Sequence, residues 1–366
     1  DIRKALHLDY VLPAATRNPR NGADVRSAFI YHIYFLDLLD DTCRYIKALP
    51  DETDLYITTT EDKIAPIRDY MAAHGMNHPV TFIPVVNRGR DVSALLVASR
   101  DVVLSGKYDV IGFAHDKKSS QNQENGHHGT ESQGFAHKLM ENTLGSRDYV
   151  ENILTLFSNE PRLGQVAPPP PFHALYFAHT LPHDWGANFE ITKELLEDRF
   201  NIHVPLSLGK PSASAIGSCY WFRVKALKPL FDYEWKYEDF LPEGEMGEDG
   251  TISHAIERAN GYICQSQGYY PAWVMSDRYA RIEVDSLVYS SAMLMGASSR
   301  AHEGESLQSN MYGLYKATNP LRFIPAIKRH LHTGLQFITS GTIKKMPEPV
   351  QNVAYRVVWF PINAIR

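Results

Sequence analysis

Residues 1–25 are polar and broken by Pro and Gly, and the pattern predicts an irregular lead-in up to residue 27. A different rhythm then begins. Ala28 to Phe35 is β-branched and aromatic throughout, as expected of a strand buried on both faces. Leu36 to Leu49 carries apolar residues at helical spacing (Leu38, Leu39, Cys43, Ile46, Leu49), and Pro50 stops it. The alternation continues: strand at Asp54–Thr60, helix from Asp62 to His74, strand at Val80–Val86, helix from Val92 to Leu104, strand at Tyr108–Ala114. Strands alternating with helices of this length imply right-handed crossovers and a mainly parallel sheet flanked by helices. In such a sheet, ligands bind at the carboxyl ends of the strands.

Ser119 to Gly134 is polar and Gly-rich and reads as a long functional loop. Helices are expected from Phe135 to Leu144 and from Tyr149 to Phe157, then a strand at Leu163–Ala167 running into four prolines, Pro168 to Pro171. Ser218–Arg223 is a further strand, and Gly250 to Asn260 a helix closed by Gly261. The organisation is thus an α/β domain over 28–290 followed by a C-terminal region, 291–366.

Composition changes this picture in one place. From Arg322 to Arg366 there are seven Lys and Arg against Glu348 alone, a net of +6. The whole chain is −5, so the remainder carries −11 and offers nothing to nucleic acid. The basic tail is amphipathic and helical in pattern; it suits packing on its own domain, or an anionic membrane surface. No run reaches the roughly 18 apolar residues of a membrane span. No signal-peptide pattern opens the chain, which starts at Asp1 rather than Met, as expected of a processed tag remnant or of a domain cut from something longer. Cys43, Cys219 and Cys264 are far apart and form no disulfide framework, in keeping with a cytoplasmic location.

Each strand end delivers polar residues: His32, then Thr58, then Asn87-Arg88-Gly89-Arg90-Asp91, then His115-Asp116-Lys117-Lys118. Two arginines around a glycine at a strand-to-helix turn suit phosphate oxygens, because helix N-terminal N–H groups and bidentate guanidinium both favour anions. Asp116 could hold a divalent cation bridging a diphosphate, or Lys117 and Lys118 could neutralise it directly. Glu248-Asp249-Gly250 opens the last helix, where Asp249 can cap it or act as a general base toward a hydroxyl. The sixteen histidines show no metal-ligand spacing, and neither a Walker loop nor a Gly-x-Ser-x-Gly elbow is present.

In order, Tyr31 to Phe35, Asp54 to Thr59, Asn87 to Asp91, Tyr108-Asp109 through His115 to Ser119, Gly217 to Arg223, and Glu248 to Thr251 through His254, Glu257 and Arg258 resemble the rhamnan synthesis protein F family. The resemblance covers residues 28–265. It implies a GT-A-like, Rossmann-like glycosyltransferase of cell-surface polysaccharide, with a nucleotide-diphosphate sugar, rhamnose in the family's name, as donor. An oligosaccharide or lipid-linked glycan would be the acceptor. By that comparison Asn87 to Asp91 form the donor turn, His115-Asp116-Lys117 stand where a D-x-D motif binds a metal, and Glu248-Asp249 supply the base of an inverting transfer. His115 and Lys117 replace the usual carboxylates, which leans toward a metal-independent reaction over one using Mg2+ or Mn2+ on Asp116. His32 and Thr58 or Thr59 fall to the nucleoside, and Trp185, Asn188, Trp221 and His254 to the sugar or acceptor. The competing reading is a non-catalytic nucleotide-sugar-binding or scaffold protein of a polysaccharide-assembly complex.

Overall fold

The structure, a computed structural model, describes residues 10–117, 129–169, 185–208, 212–245 and 249–301. Eight strands form one mixed sheet: β1 (Tyr10–Leu12), β2 (Ser27–His32), β3 (Asp54–Thr59), β4 (Val80–Pro84), β5 (Val110–His115), β6 (Leu163–Ala167), β7 (Tyr220–Arg223) and β8 (Tyr270–Ser276). Their spatial order is β1-β8-β6-β7-β5-β2-β3-β4. β7 runs antiparallel to both neighbours and every other pairing is parallel. This is the mainly parallel, helix-flanked α/β architecture that the alternating pattern predicts.

The helices are α1 (Leu39–Ile46), α2 (Glu61–Ala73), α3 (Arg90–Ser93), α4 (Arg100–Val103), α5 (Gly129–Leu144), α6 (Arg147–Asn159), α7 (Phe189–Glu194), α8 (Val224–Asp232), α9 (Ile252–Ser266) and α10 (Asp277–Ala301). A π-helical turn, Ala94–Ala98, joins α3 to α4. Strand alternation divides the core into two layers. Phe29 and Tyr31 of β2 face one side with Trp221 of β7, Leu139 of α5, and Tyr149 and Phe157 of α6. Ala28 and Ile30 face the other with Phe113, Phe222 and residues of α8 and α9 such as Leu227, Phe231 and Ile263. Every residue of β2 is buried, which explains its unbroken apolar run.

Four features depart from the pattern. α5 begins at Gly129, inside the stretch expected to be loop up to Gly134, while the earlier part of that stretch, from Ser119 to residue 128, lies outside the described residues. The lead-in is not wholly irregular, because Tyr10–Leu12 pairs with β8 at the sheet edge. β8 and α10 carry no clear sequence signal: Pro271 interrupts the first, and a mixed surface masks the second. Gly261 does not end a helix. It lies inside α9, where a Cβ would meet the Ala213 carbonyl oxygen at 1.7 Å, so glycine is there for close packing.

The chain divides into two compact units, Asp1–Val288 and Tyr289–Arg366; of the second, only the end of α10 is described. The basic tail expected from Arg322 onward lies outside the described residues. Among those residues, no helix is long and apolar enough to cross a membrane.

Candidate functional site

Two chain directions leave the middle of the sheet. From β2 the chain moves outward through β3 and β4, then returns to β5 on the other flank of β2. Such a switch point opens a crevice at the carboxyl ends of the two strands that part there. The register sets His32, the last residue of β2, opposite His115, the last of β5. Thr58 of β3 lies beside His32 and its hydroxyl meets Nδ1 at 3.0 Å.

Asp116 follows β5 and is buried. Its Oδ2 accepts the N–H groups of Tyr34 at 2.9 Å and Phe35 at 2.6 Å, tying the exit of β2 to the exit of β5. Burial pushes this carboxyl up to about 6, against the pull of those two donors. Burial also drives His32 down to about 4, although Asp91 opposes it. Desolvation would raise Asp91 as well, but His115, His32 and Lys117 outweigh it and hold the carboxylate below its ordinary range. Three neighbouring groups displaced in different directions mark the crevice as a place where charge has been arranged.

His115 bridges two backbones. Its Nδ1 lies 2.8 Å from the Asp116 carbonyl oxygen and its Nε2 3.0 Å from that of Gly217, with an Asp91 oxygen 3.9 Å from Nε2. Carbonyls only accept, so both ring nitrogens of His115 face acceptors. Lys117 sets its ammonium 4.2 Å from the centre of the Phe135 ring. Lys118 and Glu248 lie outside the described residues.

The Asn87–Asp91 turn divides its labour. Arg88 donates Nε–H to the carbonyls of Tyr237 and Phe240, both at 2.8 Å, and Gly89 N–H reaches Leu241 O at 3.2 Å. That side of the Arg88 guanidinium therefore anchors the 237–242 segment and is not open to a ligand. Arg90 has a left-handed backbone, φ 51°, and comes within 3.7 Å of Glu243. Asn87 is exposed and donates to the Tyr34 hydroxyl at 3.3 Å. Lys63 lies over that same tyrosine ring at 3.6 Å and donates to its carbonyl at 2.7 Å.

Asp249 is not the cap of α9; Thr251 occupies that position. The exposed Asp249 carboxylate docks instead on the turn Gly186–Asn188. One oxygen accepts Ala187 N–H at 2.9 Å and the other accepts the Asn188 side-chain amide. Asn188, wholly buried, accepts Gly250 N–H at 3.0 Å in return. Asn188 therefore aims Asp249 and has no free group for a sugar. His254, one turn into α9, meets the Thr251 hydroxyl at 2.8 Å. Burial lowers His254, while the charges of Glu257, Asp249 and Asp91 pull it the other way.

The two tryptophans expected at a sugar are core residues. Trp221 is buried, donates to Thr143 O at 3.0 Å and packs edge-on to Phe29. Trp185 is buried between Phe189 and Tyr262 and donates to Ser207 O. The residues not singled out as ligands of the site are Glu257 and the turn Gly217–Ser218. Glu257 accepts Gly217 N–H through one oxygen and pairs with Arg258 at 2.6 Å through the other. The polar face of α9, with His254, Glu257 and Arg258 inside one turn, was the signal available for it.

The profile of the rhamnan synthesis protein F family matches residues 2–269. This chain belongs to that family. Its members are named for polysaccharide synthesis, and the matched span contains every crevice residue described above. Curated relatives are the uncharacterized protein WxcX from two strains of Xanthomonas campestris pv. campestris, each 29% identical over 269 residues. The aligned region is 72% of this chain and 35% of each relative, so the chain spans about a third of their length.

Proposed function

We propose that the family domain of this chain is a glycosyltransferase that moves a sugar from a nucleoside-diphosphate donor to a hydroxyl of a growing surface polysaccharide, with inversion. The observation that carries this reading is the state of Asp249: an exposed carboxylate with both oxygens aimed by a dedicated turn, sharing the surroundings of His254 with the crevice residue Asp91. A base must be both reachable and held in direction. In the reaction Asp249 takes the proton of the acceptor hydroxyl, whose oxygen attacks the anomeric carbon from the face opposite the leaving group. The bond to the diphosphate breaks and its electron pair leaves with the phosphate oxygen. Lys117 and the open side of Arg90 are the cations near that departing charge, and fixed positive groups stabilise it most effectively.

Asp116 does not fit a metal-ligand role well. Its Oδ2 already accepts two backbone donors, its chain neighbours are His115 and Lys117, and among the described residues no group of three His, Cys, Asp or Glu side chains could hold an ion. No step is assigned to a metal. His32 and Thr58, buried at the switch point, fall to the donor side of the crevice. Rhamnose as the sugar, a lipid-linked acceptor and peripheral attachment to a membrane follow from the family theme and the basic tail.

The test is a thermal-shift titration of the purified chain with UDP, dTDP, GDP and CMP, each with and without Mn2+. A ligand at 100 times its dissociation constant stabilises by about 2.7 kcal/mol, a visible rise in melting temperature. One diphosphate should respond. Silence across the panel in both conditions would refute the reading and favour a scaffold.

A further inference from the structure

Beneath the crevice lies a cavity of about 10 Å3, room for one water-sized group. Asp91, Ser218, Tyr220, Glu257 and Asn260 line it, with apolar residues making up the rest of its walls. No Lys or Arg is among its lining residues, and two of them are carboxylates. An anion such as phosphate is therefore repelled, whereas a hydroxyl can donate its hydrogen there.

Two side chains point to a ligand. Asn260 is 2% exposed and lines the cavity beside Tyr220. Its Oδ1 is buried without a hydrogen-bond donor among the described residues. Such an orphaned acceptor is costly and requires an explanation. Ser218 is 9% exposed and lines the same cavity. It also sits in the left-handed region, φ 53°, directly after Gly217 at φ 93°. A non-glycine residue stays there only when its surroundings force it to, and such strain collects where ligands are gripped. The force is visible: His115 from β5 holds the Gly217 carbonyl and Glu257 from α9 holds its N–H. A Cβ on Gly217 would meet Leu139 at 2.5 Å, so the turn is also packed in place.

We propose that this nook recognises a single hydroxyl of the donor sugar, read by Asn260 and Ser218, with His115 and Glu257 as the positioning residues that keep the turn in shape. This rests on the reading of the crevice as a nucleotide-sugar site and adds where the sugar is discriminated. The hydroxyl donates to Asn260 Oδ1 and accepts from Ser218 Oγ, which gives both protein groups a partner. Because the nook holds one hydroxyl and no more, a bulkier substituent at that sugar position is excluded.

Calorimetric titration of wild type, Ser218→Gly and Asn260→Leu with dTDP-rhamnose, UDP-glucose, GDP-mannose and the three free diphosphates tests this. The quantity read is the gain in affinity that the sugar brings over its own diphosphate. Both variants should reduce that gain by roughly tenfold and leave diphosphate affinity unchanged. Ser218→Gly also relieves the left-handed strain, so it should melt at or above the wild-type temperature while losing sugar affinity, a combination that a purely structural serine would not give. This variant keeps the test decisive if Asn260→Leu does not fold. An unchanged sugar gain in Ser218→Gly, or a wild type that binds a diphosphate but gains nothing from any sugar, overturns the nook alone. A wild type that binds no diphosphate overturns the nucleotide-sugar reading and the nook with it.

Discussion

Gly186→Ala separates the aiming of Asp249 from the stability of the fold. Gly186 has φ 53°, and a Cβ there would lie 2.0 Å from Asp249 Oδ2. Ordinary contact is about 3.5 Å, so the carboxylate must retreat by about 1 Å or more. The backbone strain of an alanine in the left-handed region is about 1–2 kcal/mol. The bonds from Ala187 and Asn188 to Asp249 are partly lost too, but the carboxylate is exposed and water replaces them, so about 1 kcal/mol is a fair allowance. The melting point should fall by several degrees at roughly 2–4 °C per kcal/mol. Turnover should fall far more, by about 100-fold, the usual effect of a 1 Å misplacement of a reacting group. Gly75→Ala is the matched control: its φ is 67° and its Cβ would have nothing within 4 Å, so it carries the strain without the collision. Both variants would be melted and assayed for sugar transfer from the donor found by titration. If Gly186→Ala turns over within about threefold of Gly75→Ala, the held carboxylate is not the base and the argument fails.

Three further outcomes are expected. Asp249→Asn should abolish transfer and leave diphosphate affinity within about twofold, since the base touches the acceptor and not the nucleotide; equal loss of both, read by calorimetry, counts against it. Lys138 and Glu283 form a fully buried pair at 2.5 Å between α5 and α10, so Lys138→Met alone should cost about 3–5 kcal/mol in urea unfolding, while Lys138→Met with Glu283→Leu recovers most of it. The third concerns pH. His32, lowered to about 4, makes the unfolded chain bind the extra proton between pH 4 and 6.5, so its share of stability is lost as pH falls. Asp116, raised to about 6, makes the folded chain bind the extra proton between pH 4 and 6, so its share is lost as pH rises. The two oppose each other in wild type, and Asp116→Asn should make stability rise more steeply from pH 4 to 6.5 than it does in wild type. A flat unfolding profile in that variant would contradict the burial of His32.

What could be read from the chain and what could not follows from the range of the interactions. β2 and β5 announce themselves because a strand buried on both faces must be apolar along most of its length, and β3, β4, β6 and β7 show as shorter apolar, β-branched or aromatic runs. β8 does not, since Pro271 near its start breaks the expected strand pattern, and the three residues of β1 are too few to show a period. Polar strand ends were visible as candidates, and His32, Asp91, His115, Asp116 and Lys117 do converge at the switch point. Their roles were not visible, because the partners that assign them lie far along the chain: Gly217 is 102 residues from His115, Tyr237 is 149 from Arg88, and Asn188 is 61 from Asp249. Trp185 and Trp221 failed as sugar contacts for the reason that large aromatic side chains usually do, since burial is worth more to them than exposure.

The crevice also shows why a polar side chain near a site is weak evidence of a ligand residue. Arg88, Asp116, Asn188 and Glu257 each spend hydrogen bonds on backbone groups of a neighbouring segment, and so fix the 237–242 segment, the exit of β2, the Asp249 carboxylate and the Gly217 turn. Loops cannot hold a fixed shape through their own ladders, so charged side chains from the strand and helix ends hold it for them. Among the described residues of the crevice, those not spent in this way include the open face of Arg90, the Ser218 hydroxyl and one amide oxygen of Asn260, while the Asp249 carboxylate is held by the 186–188 turn yet exposed. Substrate recognition should follow that remainder rather than the density of charge in the sequence. Variants of the supporting residues should then weaken all substrates alike, whereas variants of the free groups should change which sugar is preferred.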